Sequence, residues 1–285
     1  LLVFARHRAL NEPSKFTYAI LAFLSIPLAY LSWRYVEKPF RTKGVFNRKS
    51  IFTYSIIGSG IFITIGLIGH LTNGFDGRSS NSQLSASLID QKLKVNHGLS
   101  ETCEGKFTLQ VDCRTDDKPE ILVWGDSFAM HLVQGIMASK PDAKIIQMTK
   151  SVCGPFFDVA PVLEPKRPIS WSKGCLEFSG KVREWLKEQT TLKYAVLSSP
   201  FNYYLENNNL LLRSGELFPA NFELATKEFK RTLNELKQMG ITPIVLSPPP
   251  ANGNDLGRCL AKAEWYGLNL GNCDFGVNEI SQARL

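Results

Sequence analysis

Glu120-Ile-Leu-Val-Trp-Gly-Asp-Ser-Phe-Ala-Met-His131 is the stretch on which the fold turns. Ile121 to Trp124 is a short apolar run that closes on Gly125-Asp126-Ser127, and from Phe128 to Ser139 apolar residues recur at helical spacing. That order reads as strand, turn, helix. The same alternation continues downstream. Lys144–Met148 reads as a strand, Val182–Gln189 as a helix and Tyr194–Leu197 as a buried strand. Phe222–Met239 reads as an amphipathic helix closed by Gly240, and Ile241–Leu246 as a strand stopped by Pro248-Pro249-Pro250. Strands alternating with helices predict an α/β fold, a three-layer α/β/α sandwich on a mostly parallel sheet.

A serine placed directly after a buried strand and at the start of a helix carries its hydroxyl to the C-terminal edge of the sheet, where open α/β sheets bind ligands. Its N–H and the positive end of the helix dipole would face negative charge developing there, as acyl transfer requires. The alternative is an Asp126/Ser127 helix cap with no part in chemistry. Residue 129 is Ala, so this is not the G-x-S-x-G elbow.

The formal charge of +7 does not describe a nucleic-acid groove. Residues 1–76 hold nine Lys+Arg against three Asp+Glu, and the remainder is nearly balanced at 24 against 23. No charge interrupts Phe16–Trp33 or Ile51–Asn73, so two helices, about 16–36 and 51–72, are long enough to cross a bilayer. Arg34 to Lys49 between them carries six cations and one anion, which puts that loop in the cytoplasm and everything after residue 73 outside. Arg6, Arg8 and Lys15 then fall on the outer side, against the rule. The cysteines argue for the same orientation independently. Cys103, Cys113, Cys153, Cys175, Cys259 and Cys273 all follow the last apolar run, without the C-x-x-C spacing of a zinc site. An even count confined to one region points to disulfides in an oxidising compartment. Of the fifteen pairings that six cysteines allow, the sequential ones, 103–113, 153–175 and 259–273, each close a short loop rich in Gly, Pro or polar residues. No metal site is expected. Residues 74–100 are polar and low in aromatics and read as a linker, with a globular domain at 101–285.

Val123-Trp-Gly-Asp-Ser127-Phe-Ala-Met-His131 resembles block I of the SGNH family, whose members use a Gly-Asp-Ser serine on a flavodoxin-like α/β/α sandwich. The resemblance implies Ser127 as nucleophile, with Asp126 supporting the motif. It implies Gly154, in Thr149-Lys-Ser-Val-Cys-Gly-Pro155, as an oxyanion N–H donor from a second block, and a turn glycine before proline is the alternative. It offers Asn202, in Ser198-Ser-Pro-Phe-Asn202, as a third-block oxyanion donor, although the Gly-x-Asn-Asp context of the family is missing and a turn residue reads equally well. The family's C-terminal Asp-x-x-His is absent; the histidines are His7, His70, His97 and His131. The expectation is that the chain is a fragment and that this motif lies beyond Leu285. His131, one helical turn from Ser127, is poorly aimed to be its base and reads as a possible substrate contact.

Ser32-Trp-Arg-Tyr-Val-Glu-Lys-Pro-Phe-Arg41, after an apolar helix, resembles the end of the last conserved helix of the acyltransferase-3 family. In this reading residues 1–41 end that membrane domain, 42–73 hold a cytoplasmic loop and a further membrane helix, 74–100 a periplasmic linker, and 101–285 an SGNH-like domain. Glu37 and Arg41 serve equally well as interfacial anchors. Fused acyltransferase-3 and SGNH proteins include O-antigen acetyltransferases of Gram-negative bacteria. The resemblance therefore implies an inner-membrane O-acetyltransferase acting on a surface polysaccharide, lipid-linked or lipopolysaccharide. Acetyl-CoA would be acyl donor to the full-length protein, with no cofactor held by residues 1–285. A carbohydrate esterase and a non-catalytic polysaccharide binder are the alternatives. Trp171, Tyr203, Tyr204, Trp265 and Tyr266, in predicted loops, are candidates for stacking on sugars under any of these, with core packing as the commoner use of such residues.

Overall fold

The computed structural model describes residues 1–10, 12–42, 45–72, 91, 93–250 and 252–276. It divides into two compact units, one formed by Leu1–Lys94 with Gly253–Val277 and one built on Val95–Asn252.

The first unit opens with α1 (Leu2–Arg8), α2 (Lys15–Ser32), a π-helical turn at Trp33–Glu37, α3 (Lys38–Arg41) and α4 (Arg48–Leu71). Ser14 and Asn47 cap α2 and α4 by accepting N–H bonds from Thr17 and Ser50. The run Lys15–Arg41 has a mean hydropathy of 1.5 and Arg48–Leu71 one of 2.0, and both are long and apolar enough to cross a membrane. No residue of α2 or α4 is buried. Part of the basic loop between them, residues 43 and 44, lies outside the described residues. The same unit contains a later helix, Leu256–Tyr266, pinned by the Cys259–Cys273 disulfide. Lys262 on that helix donates to the carbonyl of Ala9 at 2.6 Å, which satisfies an acceptor just past α1.

The second unit contains, in order, β1 (Ile121–Gly125), α5 (Ser127–Ser139), β2 (Ile145–Thr149), β3 (Val159–Val162), α6 (Ile169–Lys187), β4 (Tyr194–Ser198), α7 (Asn202–Leu205), β5 (Leu210–Arg213), β6 (Glu216–Pro219), α8 (Phe222–Gln238) and β7 (Thr242–Leu246). Four strands form a parallel sheet in the order β2-β1-β4-β7. The alternation of strand residues decides which layer each side chain joins. Val123, Ile145 and Val196 face Ala129 and Val133 of α5 on one side. Leu122, Trp124, Ile146, Met148, Ala195 and Leu197 face Phe178, Val182 and Leu186 of α6 and Leu236 of α8 on the other. The unit is thus the expected α/β/α sandwich. The register pairs Gly125 with both Thr149 and Ser198, and Ser198 with Leu246, so the four strands finish level at one edge.

Three features depart from the sequence reading. A small antiparallel sheet, β3-β5-β6, stands beside the parallel one. Its hairpin turns at Ser214-Gly215, both at positive φ, a turn signal without the flanking alternation that would announce it. The helix read as 182–189 begins at Ile169, because Ser, Gly and Lys in its first half weaken the apolar periodicity. The stretch read as a linker to residue 100 ends sooner. Leu99 N–H donates to Gln147 Oε1 at 2.8 Å, and Gln147 Nε2 donates to the carbonyl of His97 at 2.8 Å, so residues 97–99 are fastened to a side chain of β2, while Glu104 and Arg114 pair with its open edge at Thr149 and Ile146. Most of the rest of that stretch, residues 74–90 and 92, lies outside the described residues. The disulfides pair sequentially, Cys103–Cys113, Cys153–Cys175 and Cys259–Cys273, and no described cysteine is free.

Candidate active site

Ser127 is the first residue of α5, directly beyond the C-terminal end of β1, and is half-buried. The turn that carries it needs Gly125. Its φ is +151°, and a Cβ there would lie 2.1 Å from the Ser198 carbonyl oxygen on the neighbouring strand. Asp126 caps the helix by accepting the Phe128 N–H on Oδ1 at 2.9 Å. The capping role weighed from sequence is therefore present, but it belongs to Asp126 and leaves the Ser127 hydroxyl unspent. No hydrogen bond among the described residues uses the Ser127 N–H either, so the first amide of a thirteen-residue helix points its dipole outward from the strand end.

Behind Ser127 the carboxyl group of Asp126 is 2 % exposed, and its Oδ2 accepts the Ser199 hydroxyl at 2.9 Å. Burial pushes its pKa up to about 6; the hydrogen bonds from Phe128 and Ser199 hold it from rising further. Gly154, after β2, is buried, and its N–H donates to the Tyr204 hydroxyl at 2.9 Å. The N–H read as an oxyanion donor is thus spent within the fold. Asn202 opens α7 and donates from Nδ2 to Glu206 Oε1 at 3.2 Å, while its Oδ1 is buried without a partner among the described residues.

No histidine forms a hydrogen bond with this turn among the described residues. His131 is exposed on α5, with its ring centroid 6.2 Å from that of Phe128. The His97 carbonyl accepts from the Gln147 side chain of β2, and its Nδ1 is buried without a partner among the described residues. His7 and His70 belong to the first unit.

The aromatic candidates divide. Tyr204 is buried to 1 % and stacks on Phe156 at 4.1 Å between ring centroids, so it is a core ring and no platform for a sugar. Trp171 lies in α6 rather than a loop, with Lys150 Nζ 4.6 Å and the Arg167 guanidinium 4.4 Å from its ring centroid. Two cations thus already lie over the ring, where a sugar would have to displace them. Tyr203 is half-buried in α7. Trp265 and Tyr266 end the helix Leu256–Tyr266 of the first unit. Sequence reasoning missed Ser199, although a buried aspartate after a strand requires a donor, and the serine next to the end of the adjacent strand was the available one.

Residues 102–284 match the family model described as the SGNH domain fused to AT3 domains. No curated protein matches the chain. Among solved structures, it is similar to the periplasmic domain of a lipopolysaccharide acetyltransferase from Salmonella ser. Paratyphi A, at 16% identity and a TM-score of 0.42. The likeness covers 62% of this chain and 64% of that one.

Proposed function

Because this chain belongs to the family of SGNH domains fused to AT3 domains, we propose that it acts as a bacterial inner-membrane O-acyltransferase with Ser127 as nucleophile. The acyl group is acetyl in this reading, delivered through the membrane domain from acetyl-CoA, and the acceptor is a hydroxyl of a surface polysaccharide such as O-antigen. Residues 1–41 end the membrane domain, residues 42–73 add the further helix, and the SGNH domain faces the periplasm. Ser127 Oγ attacks the acyl carbonyl and gives up its proton, and the tetrahedral oxyanion collapses to a serine ester with departure of the donor group. The sugar hydroxyl then attacks that ester, its proton leaves, and Ser127 Oγ recovers one. One hard step becomes two easier ones.

The observation that carries the reading is the place of Ser127: at the level edge of a parallel sheet, first in its helix, with hydroxyl and N–H both unspent. The N–H and the helix dipole supply the oxyanion side. The test is the O-acetyl content of the surface polysaccharide, measured by NMR, in cells carrying the native-length protein as wild type or Ser127→Ala at matched expression. Loss of acetylation is the expected result. Unchanged acetylation would mean that transfer is completed in the membrane domain, and would leave this unit as a polysaccharide binder.

A further inference from the structure

We infer that Tyr204 is a positioning residue for Ser127, acting through Gly154; the inference rests on the reading of Ser127 as nucleophile. Three loops leave the ends of β1, β2 and β4, and each pair of loops is tied by one hydrogen bond. Lys150 N–H donates to the Gly125 carbonyl at 3.0 Å and ties the exit of β2 to that of β1. Gly154 N–H donates to the Tyr204 hydroxyl at 2.9 Å and ties the β2 loop to the β4 loop. The Ser199 hydroxyl donates to Asp126 at 2.9 Å and returns from β4 to β1. The ring closes on the peptide units that carry Ser127, so the main chain presenting its N–H is held from two sides.

Tyr204 is built into this ring for more than bulk. Burial pushes its pKa far above the ordinary phenol value, so it stays neutral and accepts the Gly154 N–H while keeping its own proton. Residue 154 is glycine because a Cβ would stand 3.0 Å from the Tyr204 hydroxyl and from its ring, and 3.1 Å from Ser199 Oγ. Each loop that Tyr204 joins holds a non-glycine residue in the left-handed region, Val152 at φ +66° and Phe201 at φ +57°. A β-branched residue rarely adopts that conformation, and such residues persist where the surroundings over-determine them. The Gly154–Tyr204 bond is the link in the ring that lies between these two strained points and touches neither Asp126 nor Ser127.

The test is the rate at which a fluorophosphonate probe labels the native-length protein in detergent. Ser127 Oγ bonds to phosphorus, fluoride leaves and the hydroxyl proton passes to solvent. The dependence on probe concentration separates probe affinity from the maximal rate. For Tyr204→Phe the expected result is unchanged probe affinity and a maximal rate lowered about 10–100-fold, the effect of a small displacement of a reacting group. Gly154→Ala, which keeps the phenol but wedges it aside, is expected to lose rate in the same way and serves if Tyr204→Phe does not fold. Wild-type rates in either variant, with labelling abolished in Ser127→Ala, would overturn this inference and leave the nucleophile in place. Undiminished labelling of Ser127→Ala would overturn both.

Discussion

The hydroxyl of Ser199 reaches from the end of one strand to Oδ2 of Asp126 at the end of its neighbour, 2.9 Å away, with Ser199 1 % and Asp126 2 % exposed. Removing the donor leaves a buried carboxylate with the Phe128 N–H and no second partner. Ser199→Ala is expected to lower stability by about 1–3 kcal/mol at pH 7, the usual cost of stranding a buried polar group. Denaturant unfolding of the detergent-solubilised protein at pH 7 and again at pH 5 checks this. The gap between wild type and variant should narrow at pH 5, where the Asp126 carboxyl is largely protonated, and a gap independent of pH would mean that the bond does not favour the charged form.

Asp126 itself should make stability depend on pH in a direction opposite to ordinary paired carboxylates. Its folded pKa, about 6, lies above the ordinary 3.8, so the fold favours the protonated form. Below pH 3.8 both states are protonated and the contribution is fully present. Between there and pH 6 the unfolded chain ionises while the folded one does not, so stability falls, and above pH 6 it levels off. The fall is on the order of 3 kcal/mol, taking ~1.4 kcal/mol per pKa unit. Exposed carboxylates paired with lysines, such as Glu120 with Lys193, have lowered pKa values and slope the other way. The difference between wild type and Asp126→Asn across pH 3.5–7 isolates the Asp126 component, and a flat difference would count against the buried carboxyl.

How much of this was legible beforehand follows from where each signal resides. The strand, turn and helix around Ser127 were readable because burial and periodicity are encoded within a dozen consecutive residues. The disulfides were readable because short, turn-rich loops bring sequential cysteines together. The roles of Gly154 and Tyr204 were not, because their bond spans 50 positions and depends on two loops adopting left-handed residues that no propensity favours. For Tyr204 the sequence left sugar stacking and core packing both open, because a tyrosine beside a turn carries no mark of whether its ring turns inward.

Gly125 and Gly135 form a matched pair for testing how tightly the Ser127 turn is built. A Cβ at Gly125 would meet the Ser198 carbonyl at 2.1 Å and the Ala129 side chain at 3.1 Å, and the main chain there is at φ +151°. Gly135, in the middle of α5, has nothing within 4 Å of the same construction. Gly125→Ala is expected to prevent folding or to cost more than about 3 kcal/mol, since the sheet would have to part. Gly135→Ala is expected to stabilise by about 0.5–1 kcal/mol through helix propensity alone. Thermal melts of both variants decide it; a tolerated Gly125→Ala would show that the β1 and β4 ends are further apart than described.

The Cys153–Cys175 disulfide should matter to both stability and site, and by more than Cys103–Cys113. It closes a separation of 22 residues against 10, and in a chain-entropy account the longer loop adds about 0.7 kcal/mol to a stabilisation of roughly 3 kcal/mol. Its two cysteines are 1 % and 2 % exposed and pack with Ala160, so replacing both by Ala also opens space in the core. Cys153 directly precedes Gly154, and the bridge fastens that loop to α6. The Cys153→Ala/Cys175→Ala protein is therefore expected to lose about 3–4 kcal/mol in denaturant unfolding and to label more slowly at Ser127. The Cys103→Ala/Cys113→Ala protein, altered in the segment that bonds to the exit of β2 at Thr149 and Ser151 but not at Gly154, is expected to lose less stability and to label faster than the Cys153→Ala/Cys175→Ala protein. Equal loss of labelling in the two would mean that general loosening of the fold, rather than the loop before Gly154, governs the reactivity of the serine.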